Sequence, residues 1–393
     1  MQAIYIHWPF CQTKCPYCDF NSHRIGDIDT DIWQTALLSD LRAEAAYVKD
    51  LTGSMQAITS IFFGGGTPST MPVSIVESLV GEIIRLWPKT QAPEITLEAN
   101  PGTFDAQRFS AYRQAGVNRL SLGVQSLRDE RLRFLGRTHD AKQARVALEY
   151  TMKIFENYSC DMIYATPGQT PQMWQEELNE MLSWHPKHLS LYQLMIEEGT
   201  HFAARVALDS LHPMSDDDMA PLYEMSCAML TRCNLAHYEI SNHALPGYEC
   251  RHNLAYWRYD DYIGIGPGAY GKLRSDRPEM ATQLRVRHRL PKRWVQAVHD
   301  GSGLAQDKLQ HCDHRASLQD ALMMGIRLGE GIDLQQLCTY YQRQDDLNPM
   351  LRSAKILQYE GLLTLAGTNL CIAPHARLRT NAILRYLMAR GDE

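Results

Sequence analysis

The chain has 393 residues, 45% of them hydrophobic and 21% charged, with a formal net charge of −6. That length allows two or three domains, and the composition is that of an ordinary globular protein, which excludes disordered and fibrous classes. The acidic balance gives no whole-chain footprint for nucleic acid, and no apolar run is long enough to span a bilayer.

The N-terminus has no basic segment followed by an apolar stretch and a cleavage site, so a cytoplasmic location is expected, with the ten cysteines reduced. Residues 2–6 read as a buried strand. It leads into Tyr5-Ile6-His7-Trp8-Pro9-Phe10-Cys11-Gln12-Thr13-Lys14-Cys15-Pro16-Tyr17-Cys18, in which three cysteines are spaced C-x3-C-x2-C. Thiolates crowded on one loop suit an iron–sulfur cluster. A 4Fe-4S cluster takes four thiolates, so three leave one iron open to a small molecule. A structural zinc loop is the alternative. The other seven cysteines are scattered and read as small buried apolar residues.

Strand-like and helix-like stretches then alternate. Residues 31–49 have helical spacing behind Thr30 or Asp31 as a cap. Residues 60–63 form a second strand, followed by a glycine turn and a helix over 72–86. Residues 94–98 form the third strand, with a helix over 105–115. Residues 119–123 form the fourth, with helical turns through Tyr150. Residues 160–164 form the fifth, with a helix over 171–184, and residues 188–192 the sixth. Six β-α repeats predict a parallel sheet, either an open, partial TIM-like barrel or a doubly wound sheet. The cysteine loop directly after the first strand favours the barrel, whose sites gather on loops after strand C-termini. Residues 211–218 then read as a polar loop, 218–235 as a helix, 238–240 as a short seventh strand, 246–271 as a Gly- and aromatic-rich loop and 291–299 as a short helix. Beyond His314, helices over 318–328, 334–341 and 347–359, a hairpin over 362–373 and a last helix to Met388 predict a separate winged-helix-like domain. Its charges are near balance, which favours docking or a lid over DNA binding.

Polar residues at the ends of successive strands are candidate ligand contacts, because those ends converge in a barrel. Gly64-Gly65-Gly66-Thr67-Pro68-Ser69 ends the second strand, and its glycines allow close backbone approach to a ligand or a plain tight turn. Glu98 closes the third strand, where a carboxylate can accept from ribose hydroxyls or an amino group. Gln125 follows the fourth strand and Arg137 comes one helical stretch later. Asp161 stands near the start of the fifth strand, expected deeper than the rim. In the stretch from Gly247 to Trp257, His252 beside Tyr256-Trp257 can ligate haem iron while the aromatics pack on the porphyrin. The alternative is a helix start capped by Asn253 with aromatics in the core. Gly264-Ile265-Gly266-Pro267-Gly268-Ala269 reads as a close-packed turn.

Together these stretches resemble the radical S-adenosylmethionine (radical SAM) superfamily, and within it the family of oxygen-independent coproporphyrinogen III oxidase-like proteins, in particular its haem-chaperone branch. The resemblance rests on the Tyr-Ile-His-x-Pro-Phe-Cys opening, Gly-Gly-Gly-Thr-Pro-Ser, Glu-Ala-Asn-Pro-Gly, Ser-Leu-Gly-Val-Gln-Ser, Pro-Gly-Gln-Thr at 167–170, Tyr238-Glu239-Ile240-Ser241-Asn242 and His252-Asn253-Leu254-Ala255-Tyr256-Trp257. It implies an α/β fold: a partial (β/α)6 barrel over 1–210, an extension carrying the His-Asn-x-x-Tyr-Trp element over 211–310, and a C-terminal domain over 311–393. It also implies a 4Fe-4S cluster on Cys11, Cys15 and Cys18, and SAM contacts by Tyr5, Tyr17, Gly65, Gly66, Thr67, Glu98, Gln125, Arg137 and Asp161. Haem is implied as a further ligand, with His252 its first contact. The implied partners are haem-requiring acceptor enzymes and a flavodoxin- or ferredoxin-like reductant, with transient membrane association and no transmembrane segment. In such chemistry the reduced cluster donates an electron to the SAM sulfonium and releases a 5′-deoxyadenosyl radical.

Three departures modify these expectations. The porphyrinogen-decarboxylating members carry a fourth cysteine two positions after the third, where this chain reads Cys18-Asp19-Phe20. That favours haem handling over decarboxylation of two propionates of coproporphyrinogen III, which stands as the alternative function. A redox-sensing winged-helix regulator is a third class. Ala165 stands where relatives often carry Gly, and is expected to be extended, because Ala at positive φ costs about 1 kcal/mol. Tyr270 stands where a His is common, which removes one candidate iron ligand.

Overall fold

Apolar runs at the start of each repeat pair side by side, and the pairing, more than the runs themselves, sets where the strands end. The computed structural model describes residues 2–88, 92–277, 280–302 and 305–389. In chain order, β1 (Gln2–Trp8), α1 (Thr30–Thr52), β2 (Ile58–Gly65), α2 (Val73–Leu86), β3 (Glu94–Ala99), α3 (Ala106–Gln114), β4 (Arg119–Gln125), α4 (Asp129–Phe134), α5 (Ala141–Ile154), β5 (Asn157–Tyr164), α6 (Pro171–Leu182) and β6 (His188–Gln193) form the repeats. Strands β1 to β6 pair in parallel in that order. Each step needs a crossover, which the helices provide. Ile4, Ile6 and Trp8 are fully buried, as is Ile61 in β2 and Leu97 in β3, the signature of parallel strands covered on both faces.

The flanks differ from the sequence reading. After α7 (His201–Ala207) and α8 (Asp216–Arg232), β7 (Ala236–Glu239) turns back into β8 (Asn242–Ala244), which pairs antiparallel with β6. The stretch 246–271, expected as loop, contains α9 (Arg251–Trp257) and β9 (Asp261–Ile265), and β10 (Tyr270–Arg277) begins inside it. β9 lies parallel to β1 on the side opposite β2. It was illegible because its pairing partner is some 260 positions away and its C-terminal end is glycine-rich. β11 (Met280–Arg287) and, after α10 (Pro291–Ala297), β12 (Gln306–Cys312) extend this flank antiparallel. Among the described residues the sheet runs β12-β11-β10-β9-β1-β2-β3-β4-β5-β6-β8-β7, with no pairing between its two ends. It is therefore an open, partial barrel with seven parallel strands, one more than the six expected.

Local signals placed the helices well. Asp29, not Thr30 or Asp31, caps α1: its carboxylate accepts from the Asp31 and Ile32 backbone N–H groups. Asp105 caps α3, and Asp140 and Gln143 close a capping box on α5. Cys250 is the N-cap of α9, which leaves Asn253 inside the helix rather than at its cap.

The C-terminal region has α11 (His314–Gly325), β13 (Ile332–Asp333), α12 (Leu334–Tyr340), α13 (Gln344–Tyr359), β14 (Leu363–Ala366), β15 (Asn369–Ile372) and α14 (Thr380–Ala389). Four helices and a three-stranded sheet surround a second core. That core includes Tyr259 and Ala281 from the preceding region. Thr282 Oγ1 also meets Ser317 Oγ at 2.8 Å, and the Gly329 N–H donates to the Tyr238 carbonyl. The domain is docked on the barrel rather than set apart from it. Among the described residues, no helix is long and apolar enough to cross a membrane.

Candidate functional site

The cysteine loop leaves β1 and is closed at its base. Phe10–Cys11 pairs in parallel with His23–Arg24, and the His23 N–H donates to the Pro9 carbonyl. Within it the Cys18 N–H donates to the Cys15 carbonyl at 3.1 Å. The second-strand turn packs directly against it: the Gly66 N–H donates to the Trp8 carbonyl and the Thr67 N–H to the Phe10 carbonyl. On the other side Asn21 Nδ2 donates to the carbonyls of Pro267 and Arg289.

The glycines of this turn have a structural reason the sequence did not show. A Cβ on Gly65, whose φ is +119°, would stand 2.7 Å from the Trp8 carbonyl oxygen, and one on Gly66 would stand 2.6 Å from that of Phe10. The N–H groups of Gly65, Gly66 and Thr67 are all bonded within the protein, Gly65 to Glu98 Oε2 at 3.2 Å. The glycine run lets two chain segments cross, and so positions the cysteines.

Each thiol has a polar neighbour. Thr67 Oγ1 donates to Cys11 Sγ and Arg137 Nη1 to Cys15 Sγ, both at 3.4 Å, while Cys18 Sγ lies 3.9 Å from Ser22 Oγ. Burial pushes the Cys11 and Cys18 thiols up in the ligand-free chain, a cost that metal ligation removes. Among the described residues no three His, Cys, Asp or Glu side chains are gathered as ligands of a single ion. Three free thiols on one short loop are a donor set that suits a cluster with one open iron. At the position of the additional cysteine, Phe20 is 57% exposed.

Beside the loop, Arg137 also reaches the Tyr17 hydroxyl at 3.5 Å and the Gly123 carbonyl at 3.3 Å. Its Nε and the Gln125 Oε1 are buried without a protein partner. Gln125 has φ of +63° at a break in the β4–β5 register. Buried unpartnered groups beside an open cluster position fit a polar ligand such as SAM, because leaving them unmet is costly.

Deeper in the barrel is a cavity of about 220 Å³ lined by Tyr5, Glu98, Ser121, Asp161, His252 and neighbouring residues. Asp161 lies past the middle of β5, which begins at Asn157, three residues earlier than expected. Its carboxylate accepts from Ser121 Oγ at 2.9 Å and Ser159 Oγ at 3.1 Å. Burial, and then the charge of Asp161, push Glu98 up to about 8, against the pull of the Gly65 N–H. Burial also pushes Asp161 up, against the serine hydroxyls and Arg119. Two carboxyls here resist simultaneous ionisation.

The cavity floor holds residues the sequence reading missed. Arg119 is 2% exposed and its Nε has no partner. His188 meets Ser159 Oγ at 2.8 Å and the Tyr238 hydroxyl at 2.7 Å. The available signal was a basic residue at the start of two otherwise apolar strands. Tyr5 stacks on Phe62, with its hydroxyl 3.0 Å from His7 Nδ1. His252 is 1% exposed, stacked on Phe62 at 4.8 Å, with Nδ1 3.0 Å from Ser60 Oγ and Nε2 2.9 Å from the Tyr256 hydroxyl. Burial, and then Arg119, lower it to about 3, so the ring is neutral. Both ring nitrogens are already engaged, and a bond to iron would displace one of these partners.

One further expectation changes. Ala165, at the C-terminal end of β5, is not extended: its φ is +60° and it is 2% exposed. Tertiary contacts hold it in the left-handed region, with the Leu194 N–H on the Tyr164 carbonyl and the Gln169 N–H on that of Thr166. Tyr270 is 56% exposed at the start of β10.

An open α/β barrel with three cysteines on its first loop defines the radical SAM class, and the family model of the Radical SAM superfamily matches residues 5–181; that of the HemN C-terminal domain matches residues 313–379. Among solved structures, the coproporphyrinogen III oxidase HemN of Escherichia coli, described as a radical SAM enzyme, superposes with a TM-score of 0.79 at 19% identity, over 98% of this chain and 89% of that one. Among curated proteins, heme chaperone HemW of Escherichia coli is 34% identical over 98% of both chains, and that of Haemophilus influenzae 39% identical over 73% of this chain and 74% of its own. A mitochondrial radical S-adenosyl methionine domain-containing protein 1 of Danio rerio is 33% identical over 91% of this chain and 80% of its own. The chain belongs to the HemW family of radical SAM proteins.

Proposed function

We propose that this protein is a haem chaperone that binds haem and delivers it to haem-requiring enzymes in the cytoplasm, with a radical SAM site as its second ligand centre. The supporting observation is the full-length similarity to proteins named heme chaperone HemW. Phe20 facing solvent beside the cysteine loop, in place of a thiol, agrees with it. In this reading Cys11, Cys15 and Cys18 hold a 4Fe-4S cluster, which with SAM supplies one-electron cleavage of a sulfonium when both are bound. The chain's own part is positional. Thr67 and Arg137 donate to thiolates, Gln125 and Arg137 meet the polar end of SAM, and Glu98 and Asp161 offer acceptors to its amino and hydroxyl groups. Tyr5 and Tyr17 wall the approach, and Gly65 and Gly66 keep the two loops in contact. A strongly reducing small electron carrier is the partner this chemistry requires.

The testing experiment runs on the anaerobically reconstituted protein. It is supplied with reductant, SAM and coproporphyrinogen III, and in parallel titrated with haem and mixed with an apo-haem enzyme. The expected result is haem binding and transfer with no decarboxylated porphyrinogen above a Cys15→Ser control. Decarboxylated product above that control would make the protein a porphyrinogen-processing enzyme and overturn the reading.

A further inference from the structure

The short helix α9 separates two hollows. His252, Asn253 and Tyr256 face the barrel cavity, whereas Trp257 and Arg258, at the helix end, face a second hollow between the barrel and the C-terminal domain. That groove has a volume of about 360 Å³, larger than the barrel cavity. Its far bank includes Leu337, Tyr340 and Tyr341 from α12 and its end, and Arg274 of β10 lies along it.

The two hollows differ in what they can admit. The barrel cavity has a polar, hydrogen-bonded floor and a volume of about 220 Å³, below the roughly 300 Å³ at which pockets for drug-sized ligands begin. A porphyrin is larger still, flat, mostly apolar, and carries two carboxylates on one edge. The interdomain groove has facing aromatic and aliphatic banks, with Tyr340 set edge-on to Tyr341 at 4.9 Å and half exposed. The Arg274 guanidinium lies 5.1 Å from the Tyr340 ring centre. Arg258 closes the rim through a pair with Glu330, Nε to Oε1 at 2.8 Å and Nη2 to Oε2 at 3.0 Å, in which both side chains are about half exposed, 47% and 54%. A pair this exposed is weak, so a carboxylate on a ligand can take the place of Glu330 on a fork that already has bidentate geometry. Arg274 is less free, since Asp261 holds its Nε at 3.0 Å.

We propose that the groove between α9 and the C-terminal domain, not the barrel cavity, is where haem docks, with the macrocycle between Trp257 and Tyr340 and one propionate exchanging for Glu330 on Arg258. This rests on the haem-carrying reading and adds the location. One end of the His-Asn-x-x-Tyr-Trp element then touches haem while the other lines the barrel cavity. An edge-inserted haem keeps one side open to an acceptor, as delivery requires.

The test is haem titration of the full chain, followed by absorbance, for the unmodified protein, Tyr340→Ala and Arg258→Glu. Haem and its dimethyl ester, which lacks ionised propionates, are compared, and thermal melting reports folding. Each variant is expected to raise the haem Kd about tenfold, the size of one lost stacking or charge-assisted contact. The Arg258→Glu effect should vanish with the ester. Both variants binding haem within about twofold of the unmodified chain would overturn the location while leaving the haem reading intact. An unmodified chain that binds no haem would overturn that reading itself. Should Tyr340→Ala melt early, Arg258→Glu, exposed at the rim, decides alone.

Discussion

Arg287→Met tests whether the buried charge cluster behind β1 holds the candidate site in place. Arg287 on β11 is 1% exposed, with its Nε 3.0 Å from Asp40 Oδ1 and an Nη on Glu44. Arg285 Nη1 pairs with Glu44 at 2.7 Å. Asp40 Oδ2 also accepts from the Gly266 N–H at 3.0 Å and Trp294 Nε1 at 3.3 Å. The Gly266 turn in turn abuts His7, where a Cβ would meet the carbonyl oxygen at 2.5 Å. The cluster thus ties α1, β11 and the root of the cysteine loop together. Methionine keeps the volume and leaves Asp40 without its cation. Breaking a buried pair by removing one partner costs about 3–5 kcal/mol. With an unfolding entropy of about 2.1 cal/mol/K per residue, 393 residues give roughly 0.8 kcal/mol/K, so Tm should fall by roughly 4–6 °C. Burial already pushes the Asp40 carboxyl above its ordinary range, and Arg287 opposes that shift. Without the arginine the folded-state value rises further. A raised carboxyl contributes stability below its unfolded value and loses it as pH rises through the folded one, so the deficit should be larger at pH 8 than at pH 5. The assay is thermal unfolding of the two proteins across that range. A Tm within about 1 °C of the unmodified protein at pH 8, against the expected 4–6 °C, would refute the reasoning.

Glu98→Gln should stabilise the ligand-free chain at pH 9 and leave it unchanged near pH 4.5. Glu98 is pushed from its ordinary value up to about 8, so its burial opposes folding increasingly as pH rises between those two values; equal Tm differences at both pH values would contradict the assignment. Gly66→Ala should lower stability by about 1–3 kcal/mol and reduce cluster loading, because the added methyl meets backbone that cannot rotate away; melting and iron content read it, and full loading would exclude a crossing this tight. Ala165→Gly should stabilise by about 0.5–1 kcal/mol, because it relieves a left-handed alanine at φ +60° at some cost in unfolded-chain entropy. A fall in Tm would show that the buried methyl outweighs the backbone.

What the sequence by itself determined is what short stretches of chain decide. The six β-α repeats, the C-terminal helices and hairpin, and the cysteine spacing all depend on residues within a few positions of one another. Capping, periodicity and chelate spacing act at that range. Strand ends were shifted by up to three residues, because pairing with a neighbour, not apolarity, stops a strand. The tertiary structure decided whatever depends on a distant partner. β9 lay hidden in a stretch that reads as loop because β1, some 260 positions earlier, is what makes it a strand. Asp161 became a cavity residue through Ser121, a neighbour only across the sheet. Arg119 and His188 are buried at the cavity floor, where composition would place them at the surface. Ala165 occupies a backbone region that its residue type avoids, because hydrogen bonds on both sides hold it there. Asp40 and Arg287, 247 positions apart, are affordable in the core only as a pair. Burial and charge compensation are properties of the assembled fold, and no local pattern encodes them.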